Sequence, residues 1–283
     1  MSTRLLVDGL GLMGASLAAA ASQAGMEVWC HHRRPEVSAE AQQRGWGTAV
    51  SDPGAAPPVD IIVTCVPVSV IPQRVHSLQQ QQPQAIITDV GSSKGRICSQ
   101  LDDLCHSGAF IGSHPMCGSH AQGLAHADPN LYQGATVVLT PTANTPDSTL
   151  TPIASLWQDV GGQVHSMSPE AHDQAVAEAS HLPHILAAQA ARLLSEGSLP
   201  LAASGFRDTT RVAAASPQLW TDILMDNHHA VLASLEQAQE HLTTLHTALA
   251  AGDAEAITAW LTAAQARRQR FHQQSATGTS TRK

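Results

Sequence analysis

Short apolar runs alternate with helix-periodic stretches from the amino terminus to residue 167. Arg4 to Val7, Glu27 to Cys30, Asp60 to Cys65, Ala85 to Asp89, Ala109 to Ile111, Ala135 to Thr140 and Gln163 to Met167 have the length and β-branched content of strands. Ala15 to Gln23 and Ile153 to Val160 read as helices between them. This alternation predicts βαβ units and a mainly parallel sheet with both faces covered. From Ser168 no convincing strand recurs. Ser168-Pro169-Glu170 has the form of an N-cap followed by proline at the first helical position, and opens a helix toward Leu194. Ser216-Pro217 repeats the device before a long helix toward Ala250. Along it Val231, Leu235, Ala238, Leu242, Leu245 and Leu249 recur at spacings of four and three, a seam for a neighbouring helix of the same chain or of a second subunit. Two domains follow, an α/β domain over residues 1–167 and an all-helical one over residues 168–283. The glutamines from Gln79 to Gln82 read as a solvated helix end, and the small polar tail from Ser275 as frayed and disordered.

Gly9-Leu10-Gly11-Leu12-Met13-Gly14 fits GxGxxG, and it lies between the first strand and an Ala-rich helix. In that setting Gly9 permits the tight turn, Gly11 lets the backbone approach a pyrophosphate, and Gly14 lets helix and strand pack closely. The pyrophosphate then rests on the helix amino terminus, against the backbone of Gly11, Leu12, Met13 and Gly14. The amino-terminal domain is therefore expected to be of the Rossmann type. The second strand ends Cys30-His31-His32-Arg33-Arg34, with histidine where an NAD enzyme usually carries an acid for the ribose hydroxyls. A carboxylate would repel a 2′-phosphate, whereas His32, Arg33 and Arg34 would bind one, so the expected cofactor is NADP. Cys65-Val66-Pro67 leaves the next strand at the same edge, where Cys65 and Pro67 would line the cofactor groove.

Composition narrows the class further. In 283 residues, 43% are hydrophobic, and the net charge of −8 disfavours nucleic acid as a partner. No apolar run approaches the ~20 residues of a membrane span, and the amino terminus has no signal-peptide pattern, so a cytoplasmic protein is expected. The five cysteines form no CxxC pair and read as reduced thiols. Sixteen histidines invite thoughts of a metal, but neither HExxH nor a zinc-type Cys/His spacing occurs, and none is expected.

Three segments suggest a reaction. Asp89-Val90-Gly91-Ser92-Ser93-Lys94 follows one strand and His114-Pro115-Met116 the next, both at the cofactor edge. Ser204-Gly205-Phe206-Arg207-Asp208-Thr209-Thr210-Arg211 lies in the helical half. Together with the GLGLxG opening, Ser180-His181-Leu182-Pro183-His184 and Pro217-Gln218-Leu219-Trp220, these motifs give a chain that resembles the prephenate/arogenate dehydrogenases of tyrosine biosynthesis, from Val7 to about Asn227. The resemblance implies oxidative decarboxylation of a cyclohexadienol. Hydride leaves C4 for the nicotinamide, carbon dioxide leaves C1, and the ring becomes a phenol. It implies that His114 is the catalytic base at the C4 hydroxyl, that Ser92 orients the same hydroxyl, and that Arg211 holds a substrate carboxylate. Neutral imidazole is suited to that role near pH 7. It also implies a homodimer through the helical domain.

Either His181 or His184 could meet the substrate side chain, with His184 favoured. Arg207 and Asp208 read as an ion pair or helix-end anchor. Asn227 interrupts the apolar stripe and, if buried, needs a partner. Prephenate and arogenate stay unresolved, with a slight lean to arogenate from the chain length and the cofactor signature. Two departures from the family pattern stand out: Asp8, a carboxylate directly before the first motif glycine, and Cys117 after HPM. Two other classes compete. A β-hydroxyacid dehydrogenase would lean on a helical lysine, yet the carboxyl-terminal half has none before Lys283. An NADP-binding redox sensor or scaffold would not need Ser92, His114 and Arg211 together.

Overall fold

The computed structural model describes residues 2–117 and 123–279, with side chains as far as residue 273. Strands β1 (Arg4–Asp8), β2 (Glu27–His31), β3 (Thr48–Ala49), β4 (Ile61–Thr64) and β5 (Ile86–Asp89) form a parallel sheet in the order β3-β2-β1-β4-β5. They are joined by α1 (Leu12–Gln23), α2 (Pro35–Gln43) and α3 (Ile71–Gln81). Successive side chains of a strand point to opposite faces, and here both faces are apolar. Leu5 and Val7 pack with Leu17, Ala18 and Ala21 of α1, while Leu6 and Ile62 pack with Val75 and Leu78 of α3. The register pairs Asp8 with His31 and with Thr64, and Thr64 with Asp89. Four strands thus end level, and the turns after Asp8, His31, Thr64 and Asp89 leave from one edge, the ligand-binding edge of such sheets.

After α4 (Gly95–Gln100) and α5 (Asp102–Ser107) comes a second sheet of β6 (Gly112–Pro115), β7 (Thr136–Thr140) and, beyond α6 (Asp147–Asp159), β8 (Gln163–Ser166). β6 runs antiparallel to β7, and β8 parallel to it. The strand expected at 109–111 is displaced. Gly108, in the left-handed region at φ 77°, ends α5, and Phe110 makes only a single parallel bridge to Ile87. The strand proper forms three residues later, where Gly112 to Pro115 find partners in β7. His114 consequently lies within a strand and not after one.

The helical half begins as the sequence suggests. The Ser168 hydroxyl accepts from the Ala171 N–H at 3.2 Å and caps α7 (Pro169–Val176). The expected run to Leu194 is interrupted, however, by a π-helical turn over Ala177–His181 before α8 (Leu182–Leu193). Pro183 has no N–H to donate and its ring crowds the preceding turn, which the wider turn relieves. Next come α9 (Ser204–Thr210), a 3-10 turn over Arg211–Ala214, α10 (Pro217–Asp226), α11 (His228–Ala251) and α12 (Ala254–Thr279). The single helix expected from Ser216 to Ala250 breaks at Asn227, whose backbone (φ −110°, ψ 29°) is not helical.

Residues group into two compact units, Met1–Val231 and Leu232–Lys283. In the first, α7 packs on α4 and β7. In the second, the Trp260 indole donates to the His241 carbonyl at 3.2 Å, and Ala248 is buried. Helical backbone continues to Thr279, so residues 275–279 of the tail expected to be frayed are helical, while 280–283 lie outside the described residues. No helix among the described residues is long and apolar enough to cross a membrane.

Candidate active site

The glycine turn is shaped by contacts on two sides and open on the third. Gly9 has φ +100°, and a β-carbon there would lie 2.6 Å from the Cys65 carbonyl oxygen. At Gly14 a β-carbon would fall 1.8 Å from the Gly9 carbonyl oxygen, whereas nothing lies within 4 Å of one built on Gly11. The outer glycines are thus demanded by packing, and the middle one faces space that a phosphate can enter. The first turn of α1 carries no acidic side chain and Gly11 offers no side-chain cap, so its N–H groups can meet an anion. Leu12 is buried, and the Met13 carbonyl accepts from the Tyr132 hydroxyl at 2.7 Å, so these two anchor the turn. This cradle fits a dinucleotide.

Asp8 shows how a carboxylate is accommodated beside it. The side chain is buried, and Arg74 of α3 grips it with Nε at 2.7 Å and Nη2 at 2.6 Å. His31 Nδ1 lies 2.6 Å from its Oδ1, and the Thr64 hydroxyl donates at 3.1 Å. Burial would push this carboxyl up, but the hydrogen bonds from Arg74 and then His31 outweigh it and hold the group below the usual carboxylate range. Asp8 is therefore neutralised within the sheet edge. Beyond it, His32 Nδ1 accepts from the Arg34 N–H at 3.1 Å. Burial lowers the His32 pKa against the hydrogen bond from the Arg34 N–H, and the nearby Arg34 and Arg33 charges act with burial. Arg33 and Arg34 are exposed, the latter 3.9 Å from Glu36. The half-buried Cys65 donates its N–H to the Asp8 carbonyl at 2.6 Å, and burial, helped by Asp8 and Asp89, raises its thiol pKa well above the ordinary value. Pro67 is exposed and leads into a 3-10 turn, Val68–Val70, that packs against α10.

At the end of β5, Asp89 organises the second part of the site. It pairs with the fully buried Lys94 and accepts from the N–H groups of Gly91 (2.8 Å) and Ser113 (3.1 Å). The half-buried Ser92 sits in the turn so formed, and the next residue, Ser93, bonds to Asp226 of α10, which also accepts from Arg96 at 2.9 Å. Because Ser113 is tied to Asp89, His114 stands at the same edge as Gly9 and Cys65. Burial lowers its pKa well below that of a free imidazole, and the positive forms of His172, Lys94 and His181 act in the same sense.

Two residues that the sequence did not single out complete this region. His114 Nδ1 lies 2.9 Å from Nε2 of His172, and His172 Nδ1 lies 2.8 Å from Oδ1 of Asp173. The Asp173 carboxylate also accepts the Lys94 N–H at 2.7 Å and the Gly95 N–H at 2.8 Å. Asn227, whose partner was an open question, donates from Nδ2 to the Asp173 carbonyl at 2.8 Å and faces His181 Nδ1 at 3.3 Å. The break between α10 and α11 is thus where a buried amide holds α7 and the π turn. Burial brings the His181 pKa down to about 4. His181 and His184 both meet Trp220, the first edge-on at 6.1 Å between centroids and the second stacked at 3.5 Å. Arg211 is exposed in the 3-10 turn that packs against α8. Arg207 pairs with its neighbour Asp208 at 3.1 Å on the surface, a contact of little energetic weight. Among the described residues no group of three or more His, Cys, Asp and Glu side chains is placed to hold a metal ion.

Known proteins match both halves of the chain. Residues 17–166 match the family model described as the nucleotide-binding domain of prephenate dehydrogenase, and residues 168–263 match that of its dimerization domain. A cyclohexadienyl dehydrogenase of Zymomonas mobilis is 33% identical, over 89% of this chain and 90% of its own length. A prephenate dehydrogenase of Lactococcus lactis is also 33% identical, over 90% of this chain and 73% of its own. Among solved structures, Synechocystis arogenate dehydrogenase superposes with a TM-score of 0.87 at 34% identity, covering 95% of this chain and all (100%) of its own. Prephenate dehydrogenase from A. aeolicus, in complex with hydroxyphenyl propionate and NAD+, superposes with a TM-score of 0.86 at 28% identity, covering 96% and 99%. With both halves matched in order and a glycine turn, a partly buried histidine and a helical second half in place, the chain belongs to the prephenate dehydrogenase family.

Proposed function

We propose that this protein oxidatively decarboxylates arogenate, prephenate or both with NADP, residues 1–167 binding the dinucleotide and residues 168–283 supplying substrate and dimer contacts. The observation that carries the reading is the level ending of the strands, which puts the Gly9 turn and the Ser92 turn at one edge, with His114 joined to it through the bond from the Ser113 N–H to Asp89. When bound, the nicotinamide accepts the hydride that leaves substrate C4. His114, with its depressed pKa, is neutral near pH 7 and takes the C4 hydroxyl proton as the C–O bond gains carbonyl character. The electron pair of the C1–carboxylate bond passes into the ring as carbon dioxide leaves. Ser92 orients the hydroxyl, Arg211 holds a substrate carboxylate with its guanidinium fork, and His184, stacked on Trp220, reads the side chain.

The preference for NADP rests on charge. The carboxylate of Asp8 at the adenosine end is spent on Arg74, His31 and Thr64, and the residues that follow β2 are His32, Arg33 and Arg34. Purified protein mixed with each substrate and either cofactor, followed by nicotinamide absorbance, tests both points. A higher kcat/KM with NADP is expected, and a clear preference for NAD overturns the cofactor reading. Absence of turnover with both substrates overturns the reaction.

The seam predicted along α11 supports the homodimer. Leu242 and Leu249, together with Leu232, Leu261 and Phe271, are more than half exposed in the single chain. That is more large apolar surface than two helices ordinarily leave to water. Replacing Leu242 and Leu249 with glutamate is expected to shift the particle from two chains to one in light scattering; an unchanged mass contradicts this use of the seam.

A further inference from the structure

We infer that His172, held by Asp173, is a positioning residue that fixes the tautomer of His114 and so makes its Nε2 the proton acceptor. The inference rests on the reading of His114 as the base and extends it inward to a pair of buried residues. A carboxylate can only accept. The contact of Asp173 Oδ1 with His172 Nδ1 at 2.8 Å therefore carries a proton on the histidine side. In the neutral ring this leaves His172 Nε2 as a bare lone pair. That nitrogen lies 2.9 Å from His114 Nδ1, which must then be the N–H donor, leaving His114 Nε2 unprotonated. The opposite tautomer would put lone pairs face to face at this distance and turn a donor toward the substrate hydroxyl.

Several features hold the sequence of bonds in place. His172 is fully buried. The Asp173 carboxylate is pinned by the N–H groups of Lys94 and Gly95, and a β-carbon at Gly95 would come within 2.9 Å of its Oδ2. Asn227 holds the Asp173 backbone carbonyl at 2.8 Å. During the reaction the substrate O–H bond breaks as the His114 Nε2–H bond forms. The new imidazolium keeps its Nδ1–H on His172, and the positive charge is stabilised through His172 by the Asp173 carboxylate. This is the logic by which a buried acid orients a catalytic histidine, with a second imidazole interposed.

The test compares His172→Ala, His172→Gln and His114→Asn with the unaltered enzyme. His172→Ala is expected to lower kcat by roughly 10²-fold or more, the lower end of what a positioned base supplies, with little change in KM for the cofactor. His172→Gln, whose amide can accept from His114 and donate to Asp173, should recover part of that loss. Nitrogen NMR of the unaltered protein, which reports the protonated ring nitrogen without turnover, should find His114 protonated at Nδ1. A kcat for His172→Ala within about threefold of the original, or a proton on His114 Nε2 in the neutral ring, overturns the inference. Should His172→Ala not fold, the NMR result decides alone. Loss of turnover in His114→Asn beside an unaffected His172→Ala would defeat this inference while leaving the proposed function standing. Full turnover in His114→Asn would defeat the reading beneath it.

Discussion

Replacing His114 with asparagine should reduce kcat by roughly 10²–10⁴-fold, the range that a positioned general base contributes, and leave cofactor binding intact. Asparagine can still take a hydrogen bond from the substrate but cannot carry away its proton at neutral pH. The cofactor cradle is built from Gly9, Gly11 and Gly14 in the turn after β1 and the start of α1, so titration of NADP into the variant should give the original affinity. The pH profile has a definite sign as well. Burial above all disfavours the imidazolium, so the active neutral form persists to lower pH than in free histidine. The acid limb of kcat/KM is therefore expected below the ordinary histidine value of about 6.5, with no loss between that value and neutrality. A limb centred above it would contradict the environment described for His114.

The second large effect concerns stability. Substituting methionine for Arg74 leaves Asp8 buried with its strongest partner gone, and breaking a buried pair from one side costs about 3–5 kcal/mol. Arg74 is a quarter exposed (25%), which places the loss toward the lower end. For a compact unit of this size, that corresponds to a fall in melting temperature of about 10 °C. The double variant with Asp8→Asn should regain most of it, because the orphaned charge is removed together with its partner. Calorimetry of the single and double variants measures the difference directly, and equal melting temperatures for the two would refute the pairing as the source of the effect.

Much of this was legible before any coordinates. The strand–glycine turn–helix order located the cofactor edge, and the Asp89 to Lys94 segment pointed to it because parallel strands deliver their following loops to the same side, whereas His114 reaches it from within antiparallel β6 of the second sheet. The residues that escaped notice share a physical reason. Arg74 sits in a glutamine-rich helix with nothing local to mark it, and its partner Asp8 is 66 positions away. Asp8 itself was visible as an anomaly, a carboxylate beside a phosphate site, and that anomaly was the signal that a cation must approach. His172 lies 58 positions from His114, and only its adjacency to Asp173 near a helix start hinted at more than packing. β6 was placed three residues early because Ala109 to Ile111 is apolar, whereas Gly112 to Pro115 owes its extended form to pairing with β7, a choice that tertiary contact makes and local composition does not. The π turn and the break at Asn227 were hidden for a related reason: helical periodicity survives both almost unchanged.

One carboxylate has a consequence for anyone who would cut this molecule along its apparent joint. Asp173 belongs to the helices, yet two of its three hydrogen-bond donors are amides that begin the helix after the Ser92 turn. An amino-terminal fragment ending at residue 167 would lose that acceptor together with α7, which packs on α4, leaving the amides of Lys94 and Gly95 without their protein partner. The seam between binding a dinucleotide and doing chemistry is therefore not a place where the chain comes apart, and a fragment meant to keep the first task must extend far enough to retain α7.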